Sequence, residues 1–282
     1  IDSLLKLGFG FVECGTVTPF KQYGNSKPRI FRLKEDRAIV NRLGFNNCGM
    51  KEFSKNFNKR DSNAGIAGVN IGPNKRSKNY IDDYLKVFNS IYEHADYITL
   101  NISSPNTRNL RDIQKTEDLS MLTYEINALR ESKEIHKKVF LKVDPDSSKK
   151  EYSKIINIVN KNDIDGLIIS NTSISRPNFL RSRYMNEEGG LSGAPIKKKS
   201  NEVLKFISKE TQGELTLIGV GGIENAKDVY EKIKIGASLV QLYSALTLNN
   251  MGFINKINKD LSFYIESDGF NSIKEAIGIE VR

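Results

Sequence analysis

Apolar positions along the chain fall into two patterns. Short runs rich in Val, Ile, Leu, Phe and Thr, without strict polar alternation, predict strands buried on both faces. These are Phe9–Val17, Ala67–Ile71, Tyr97–Asn101, Val139–Val143, Gly166–Ser170, Leu215–Val220 and Ser238–Tyr243. Between them apolar residues recur at helical spacing over Asp82–Tyr92, Thr116–Ser132, Lys149–Val159, Asn201–Lys209, Asn225–Ile233 and Asn250–Ile265. Strand–helix repetition predicts parallel strands with right-handed crossovers. The expected fold class is α/β, a TIM (β/α)8 barrel making one domain over residues 1–282, ahead of an open doubly wound sheet. Seven strand candidates are one short of a closed barrel. The first strand is therefore expected upstream of Ile1, with Asp2–Leu7 ending the helix that follows it.

One stretch breaks the rhythm. Thr18–Phe31 holds Pro19, Gly24 and Pro28, and Ile39–Gly49 is rich in Asn and Gly. A long connection in a compact domain predicts a lid or binding loop, here over the C-terminal mouth of the barrel.

Several predicted strands end in polar residues. Tyr97–Leu100 runs into Asn101-Ile102-Ser103-Ser104-Pro105-Asn106-Thr107, and other strand ends supply Asn70, Lys142 and Ser170-Asn171-Thr172. One such cluster is ordinary turn chemistry. Several at the same end of successive strands point to a ligand, because barrel active sites lie there. Side-chain amides carry donors and an acceptor on one flat group, so Asn41, Asn101, Asn106 and Asn171 suit a cyclic imide or ureide, or else a structural network.

Late in the chain, Gly189-Gly190-Leu191-Ser192-Gly193 and Gly219-Val220-Gly221-Gly222 precede Tyr243-Ser244. Glycine turns after the last barrel strands commonly hold a phosphate. Neither a GxGxxG nor a Walker lysine is present, which disfavours a dinucleotide or P-loop site. Lys142 ends a buried strand. A cation there could offset the charge a flavin gains at N1 and C2 on reduction, unless the side chain snorkels out.

Composition narrows the partners. The 282 residues are 38% hydrophobic and 27% charged, with a formal net charge of +9. The lysines are scattered rather than set in a stripe interleaved with aromatics, so no nucleic-acid partner is expected. No apolar run reaches the ~18 residues that span a bilayer. Cys14 and Cys48 form no disulfide framework, and His94 and His136 lack partners at ligand spacing, so no metal is expected.

Taken together, these strings resemble the class 2, quinone-dependent dihydroorotate dehydrogenases. The likeness runs through Gly15-Thr16-Val17-Thr18-Pro19, Asn41 to Asn47, Asn70-Ile71-Gly72, Asn101 to Thr107, Ser170 to Thr172, Gly189 to Gly193, Gly219 to Ile223 and Gly236 to Ser244. Members of the other main class have Cys where this chain has Ser104. The resemblance implies oxidation of dihydroorotate to orotate in pyrimidine biosynthesis. FMN would take the hydride and a ubiquinone-type acceptor would reoxidise it. It makes Ser104 the base, with a hydroxyl-and-water relay at Thr107 beside Phe45. Substrate contacts fall on Asn41, Arg42, Leu43, Gly44, Phe45, Asn101, Asn106, Asn171 and Thr172. FMN contacts fall on Thr16, Asn70, Asn101, Lys142, Ser170 (where Thr is common), Gly193, Gly222, Tyr243 and Ser244.

The likeness also implies a monomer held peripherally at the inner membrane (cytoplasmic face in a bacterium, mitochondrial in a eukaryote) by N-terminal helices absent from these residues. The family's first strand, with its Ala-Gly turn and substrate lysine, is absent too. Rival readings are a class 1 enzyme using fumarate or NAD, a phosphate-binding barrel without flavin, and a non-catalytic ligand-binding remnant. Ser104 argues against the first. Flavin absorbance near ~450 nm separates out the second, and turnover the third.

Overall fold

The structure, a computed structural model, describes residues 1–107, 110–115, 117–250 and 252–282. They form two compact units: residues 1–27, 43–142 and 157–165, and residues 28–42, 143–156 and 166–282.

In the first unit, strands Phe11–Val17, Ile66–Ile71, Tyr97–Asn101 and Lys138–Val143 (as far as Lys142) pair in parallel in that order. Nearly every residue of Ile66–Ile71 and all of Tyr97–Asn101 are buried, which explains why these strands read as unbroken apolar runs. Helix Tyr80–Ile91 shows how the helices are made. The side chain of Asn79 accepts from the Asp82 N–H, and Asp82 and Asp83 favour the positive end of its first turn. Tyr84, Val87, Phe88 and Ile91 fall on one face and are fully buried, each contributing roughly 1.5–3 kcal/mol.

In the second unit, parallel strands Gly166–Ile169, Thr216–Val220 and Leu239–Gln241 are accompanied by helices Lys197–Thr211, Ala226–Ile235 and Phe253–Ser267. A small antiparallel sheet, Gly190–Gly193, Ala38–Asn41 and Ile30–Leu33 in spatial order, closes over Phe31, Leu33, Val40, Leu191 and Ile196.

All seven predicted strands are present, with ends moved by at most two residues, so the alternation-based α/β assignment holds. Helix ends move further: the helix expected to start at Asn201 begins at Lys197, and Asp2–Lys6 is helical as expected. Thr116 and Met251, inside two predicted helices, lie outside the described residues. The expected long loops are the main correction. They contain strands Phe20–Gln22 and Asn47–Gly49, paired antiparallel, and overlap two strands of the small sheet, Ile30–Leu33 and Ala38–Asn41; helix Met50–Phe57 follows. Strands of three or four residues are too short for a period to register in sequence.

Candidate active site

In the first unit the C-terminal strand ends bring four expected residues into one buried network. Thr16 Oγ1 donates to Asn70 Oδ1 at 2.6 Å. The Asn101 amide donates to Thr16 Oγ1 at 3.0 Å and to Asn70 Oδ1 at 3.1 Å. The network continues into a residue that sequence reasoning missed. Glu13 accepts from the Asn70 amide at 2.9 Å, from Thr99 Oγ1 at 2.8 Å and from Tyr97 OH at 3.4 Å. Lys142 Nζ, the fourth, lies 3.8 Å from Glu13 Oε1. Lys142 is thus kept inside by a carboxylate rather than snorkelling out. The only clue to Glu13 was a charge in the otherwise uncharged run Phe11–Val17, mid-strand rather than at its end. From behind, the buried Tyr84 hydroxyl donates to the Asn101 carbonyl at 2.8 Å, and burial raises its pKa well above the phenol value.

The turn after Asn101 splits its two serines between different tasks. Ser103 donates to the Lys142 carbonyl at 2.5 Å and ties adjacent strand ends together. Ser104 is 5% exposed, and its Oγ accepts from the Asn106 N–H at 3.3 Å. Thr107 is also buried, and its Oγ1 has no hydrogen-bond partner among the described residues. A buried hydroxyl without a partner costs roughly 1–3 kcal/mol unless a ligand or water meets it.

Leu43, Gly44 and Phe45 form a tight turn whose carbonyls are claimed by neighbours. Asn25 N–H donates to Leu43 O, the Gln22 amide to Gly44 O and Phe45 O, and Asn47 to Phe45 O. Phe45 has φ +52°, a left-handed conformation worth ~1–3 kcal/mol of strain in a non-glycine residue. Its ring and the Thr16 methyl both close on Gly72, where an added Cβ would come within 3.0 and 2.8 Å of them. Phe45 is thereby placed beside the Thr16–Asn70 network.

In the second unit, Ser170 N–H donates to Val220 O at 3.1 Å and Asn171 N–H to Val143 O at 2.8 Å, which fixes this strand end. Ser170 Oγ donates to the Asn171 carbonyl, and Asn171 Oδ1 accepts from Thr172 N–H at 2.8 Å. Asn41 ends its strand opposite Gly190. Arg42 is engaged on both sides: its guanidinium lies 2.8 Å from Glu187 Oε2 and over the Phe31 ring, and its backbone N–H donates to the Arg29 carbonyl at 2.9 Å.

The glycine turns have a backbone that a side chain would block. Gly193 has φ +100°, and a Cβ there would lie 2.4 Å from the Arg37 carbonyl. Gly222 has φ +71°, and a Cβ would sit 2.5 Å from Lys197 Cα. Only glycine fits either place. Lys232, also unforeseen because it lies within a helical repeat, supports the second turn from below. Fully buried, it donates to Asn201 Oδ1 at 2.6 Å and Ser200 Oγ at 3.0 Å, and Ser200 Oγ donates to the Val220 carbonyl at 2.5 Å. Desolvation lowers its pKa to about 8. Tyr243 precedes helix Ser244–Leu248 with an exposed ring. Peptide bonds Gly15–Thr16 and Ile169–Ser170 are cis.

Buried amides and hydroxyls at the ends of parallel strands, with glycine turns late in the chain, mark an α/β enzyme that binds its ligands at its strand ends. Comparison with known proteins makes this specific. The dihydroorotate dehydrogenase family profile matches residues 1–265, and the chain belongs to that family. Among curated proteins it is 44% identical to a dihydroorotate dehydrogenase (quinone) of Bartonella tribocorum, covering 98% of this chain and 77% of the relative. It is 42% identical to the Rhodospirillum rubrum protein of the same name, covering 100% and 77%. Among solved structures it is similar to Eimeria tenella DHODH in complex with ferulenol (TM-score 0.92, 34% identity, 99% and 81% covered) and to the ligand-free form (0.95, 35%, 99% and 84%). The barrel-class fold expected from the strand–helix alternation agrees with these neighbours.

Proposed function

We propose that this chain oxidises dihydroorotate to orotate, a step of pyrimidine biosynthesis, with FMN as resident cofactor and a quinone as electron acceptor. Family membership and the quinone-type relatives support the reaction. The donor set suits FMN. The Thr16, Asn70 and Asn101 side chains and the Lys142 ammonium offer mixed donors, acceptors and a cation to an isoalloxazine. Ser170, Gly193, the Gly222 turn, Tyr243 and Ser244 suit its ring and phosphate. When bound, FMN supplies the hydride acceptor.

Ser104 removes the C5 proton of the substrate as hydride leaves C6. A free serine hydroxyl is a poor base, so its own proton must have a route. The Asn106 N–H that already donates to Ser104 Oγ stabilises negative charge growing there. Thr107, with its unpartnered hydroxyl, is the next proton carrier, and the strained Phe45 turn shields it from water. Asn41, Asn101, Asn106, Asn171 and Thr172, with the backbone from Arg42 to Phe45, bind the ureide ring and its carboxylate. In this reading the chain acts as a monomer attached peripherally to the inner membrane. No described helix is long and apolar enough to cross one.

The observation that carries the mechanism is Ser104, nearly buried in the turn following the Asn101 network. Ser104→Ala should retain the ~450 nm flavin band yet lose about 10²–10⁴-fold in the rate of flavin reduction by dihydroorotate in stopped flow. A variant that reduces its flavin at the wild-type rate removes Ser104 from the base role.

A further inference from the structure

One cavity of the first unit lies outside the residues assigned to cofactor and base. It measures about 800 Å³, within the range of small-molecule sites, and is walled by Phe20 to Gly24, Gly44, the loop Asn74–Asn79 and the first turns of helix Tyr80–Ile91. Its lining is strongly cationic: Lys21, Lys75, Arg76, Lys78 and Lys86 against Asp82 and Asp83. Both carboxylates are already engaged. Asp82 pairs with Lys86 at 2.7 Å, and Asp83 accepts from Asn74 N–H at 2.9 Å. Among the described residues no carboxylate comes within ion-pair reach of Lys21, Lys75, Arg76 or Lys78. The edge is aromatic: Phe20 and Tyr23 are 70% and 80% exposed, with Lys21 Nζ 5.2 Å from the Tyr23 ring centre.

Cations gathered in a concavity raise the local concentration of anions, and exposed rings offer a stacking face to a planar group. We propose that this cavity binds a nucleoside monophosphate, with phosphate on Lys75, Arg76 and Lys78 and base against Tyr23 or Phe20. Occupancy has a path to the catalytic turn. Lys75 Nζ donates to Asn25 Oδ1 at 2.6 Å, the Asn25 amide donates to the Asn106 carbonyl at 3.3 Å, and Asn106 N–H donates to Ser104 Oγ. A phosphate that draws Lys75 from Asn25 loosens that chain, making the cavity an effector site. Binding is independent of the dehydrogenase reading, whereas the effect on catalysis rests on it.

Calorimetric titration of the purified, flavin-loaded protein with UMP, AMP and inorganic phosphate tests the site. Saturable nucleotide binding, tighter than inorganic phosphate and weakened about tenfold or more in Arg76→Gln/Lys78→Gln, is expected. The double variant should match wild type in circular dichroism and basal turnover. Absence of saturable binding, or binding indifferent to those substitutions, overturns the site. So does attachment to phosphatidylglycerol vesicles without nucleotide binding, which assigns the charge to a membrane surface. In a turnover assay UMP should change the dihydroorotate KM by about twofold or more in wild type and not in the double variant. An unchanged KM, or an effect that survives the double substitution, overturns the effector role even where binding is confirmed.

Discussion

Replacing Glu13 by Gln tests whether the buried network, rather than any single contact, holds the strand ends in place. The carboxylate has two short hydrogen bonds, from Thr99 and Asn70, and a longer one from Tyr97. It also faces Lys142 at 3.8 Å, with side-chain exposures of 12% and 17%. Each hydrogen bond to a charged group is worth about 1.5–3 kcal/mol. Glutamine keeps a carbonyl acceptor for the Asn70 amide and turns an NH2 to Thr99 Oγ1, which must then accept, so both short bonds fall to about 1 kcal/mol. Lys142 is left without its counter-charge; the lower desolvation cost of the amide offsets part of this. The net expectation is a loss of about 3 kcal/mol of stability. Urea unfolding of the protein followed by circular dichroism reads it as a lower midpoint at unchanged slope. Glu13→Ala, which removes every acceptor, should cost more than Glu13→Gln. A second readout is the flavin. With the carboxylate gone, Lys142 is an uncompensated cation, and the reduction potential should rise because anionic reduced flavin is favoured. A stability loss under about 1 kcal/mol, or an Ala variant no worse than Gln, refutes the argument.

Gly222→Ala forces a side chain to φ +71° and onto Lys197 Cα, so it should weaken FMN binding about tenfold or more in a fluorescence titration; unchanged affinity would take this turn out of phosphate binding. Lys232→Met tests the buried amine through pH. Its folded pKa, about 8, lies below the ordinary 10.5. Between those values the unfolded chain holds the extra proton, so this group makes stability rise with pH across that window, and its burial penalty is present in full below it. The Met variant should lose that slope relative to wild type in unfolding measured from pH 7 to 10, and parallel curves would place the ammonium in a less costly setting.

Much of the architecture was legible because buried parallel strands advertise themselves as apolar runs. Tyr97–Asn101 was predicted to the residue, since all five side chains are interior and nothing blurs its ends. The short strands Phe20–Gln22 and Asn47–Gly49 were invisible for the opposite reason. Their order comes from side-chain amides such as Asn47 and Asn74 capping backbone groups far away in sequence, and no local period encodes that. The candidate site divides along the same line. Polar residues that end strands stood out against apolar surroundings, whereas Glu13 and Lys232 were lost to patterns in which a charge reads as solvent-facing.

Glu13 and Lys232 have the same physical character. Each is an ionisable group inside a unit, and each is tied to a backbone turn or amide that the mechanism uses. Glu13 fixes Asn70, which fixes Thr16 and Asn101; Lys232 fixes Ser200, which fixes Val220 ahead of the glycine pair. A barrel enzyme must keep polar atoms aimed at a ligand while the rest of its strands stay apolar, and buried amides cannot hold their own orientation without partners. The charge behind them supplies that constraint: hydrogen bonds to an ionised group are shorter and stronger than neutral ones, so a single carboxylate can set the rotamers of several amides together. Ser104 stands apart from both networks. Among the described residues its one hydrogen bond comes from the turn's own backbone, and the Thr107 hydroxyl has none. Rigid amides and hydroxyls that donate to no internal partner are what a proton-removing site requires, because a base already committed to a strong internal partner has nothing left to offer the substrate.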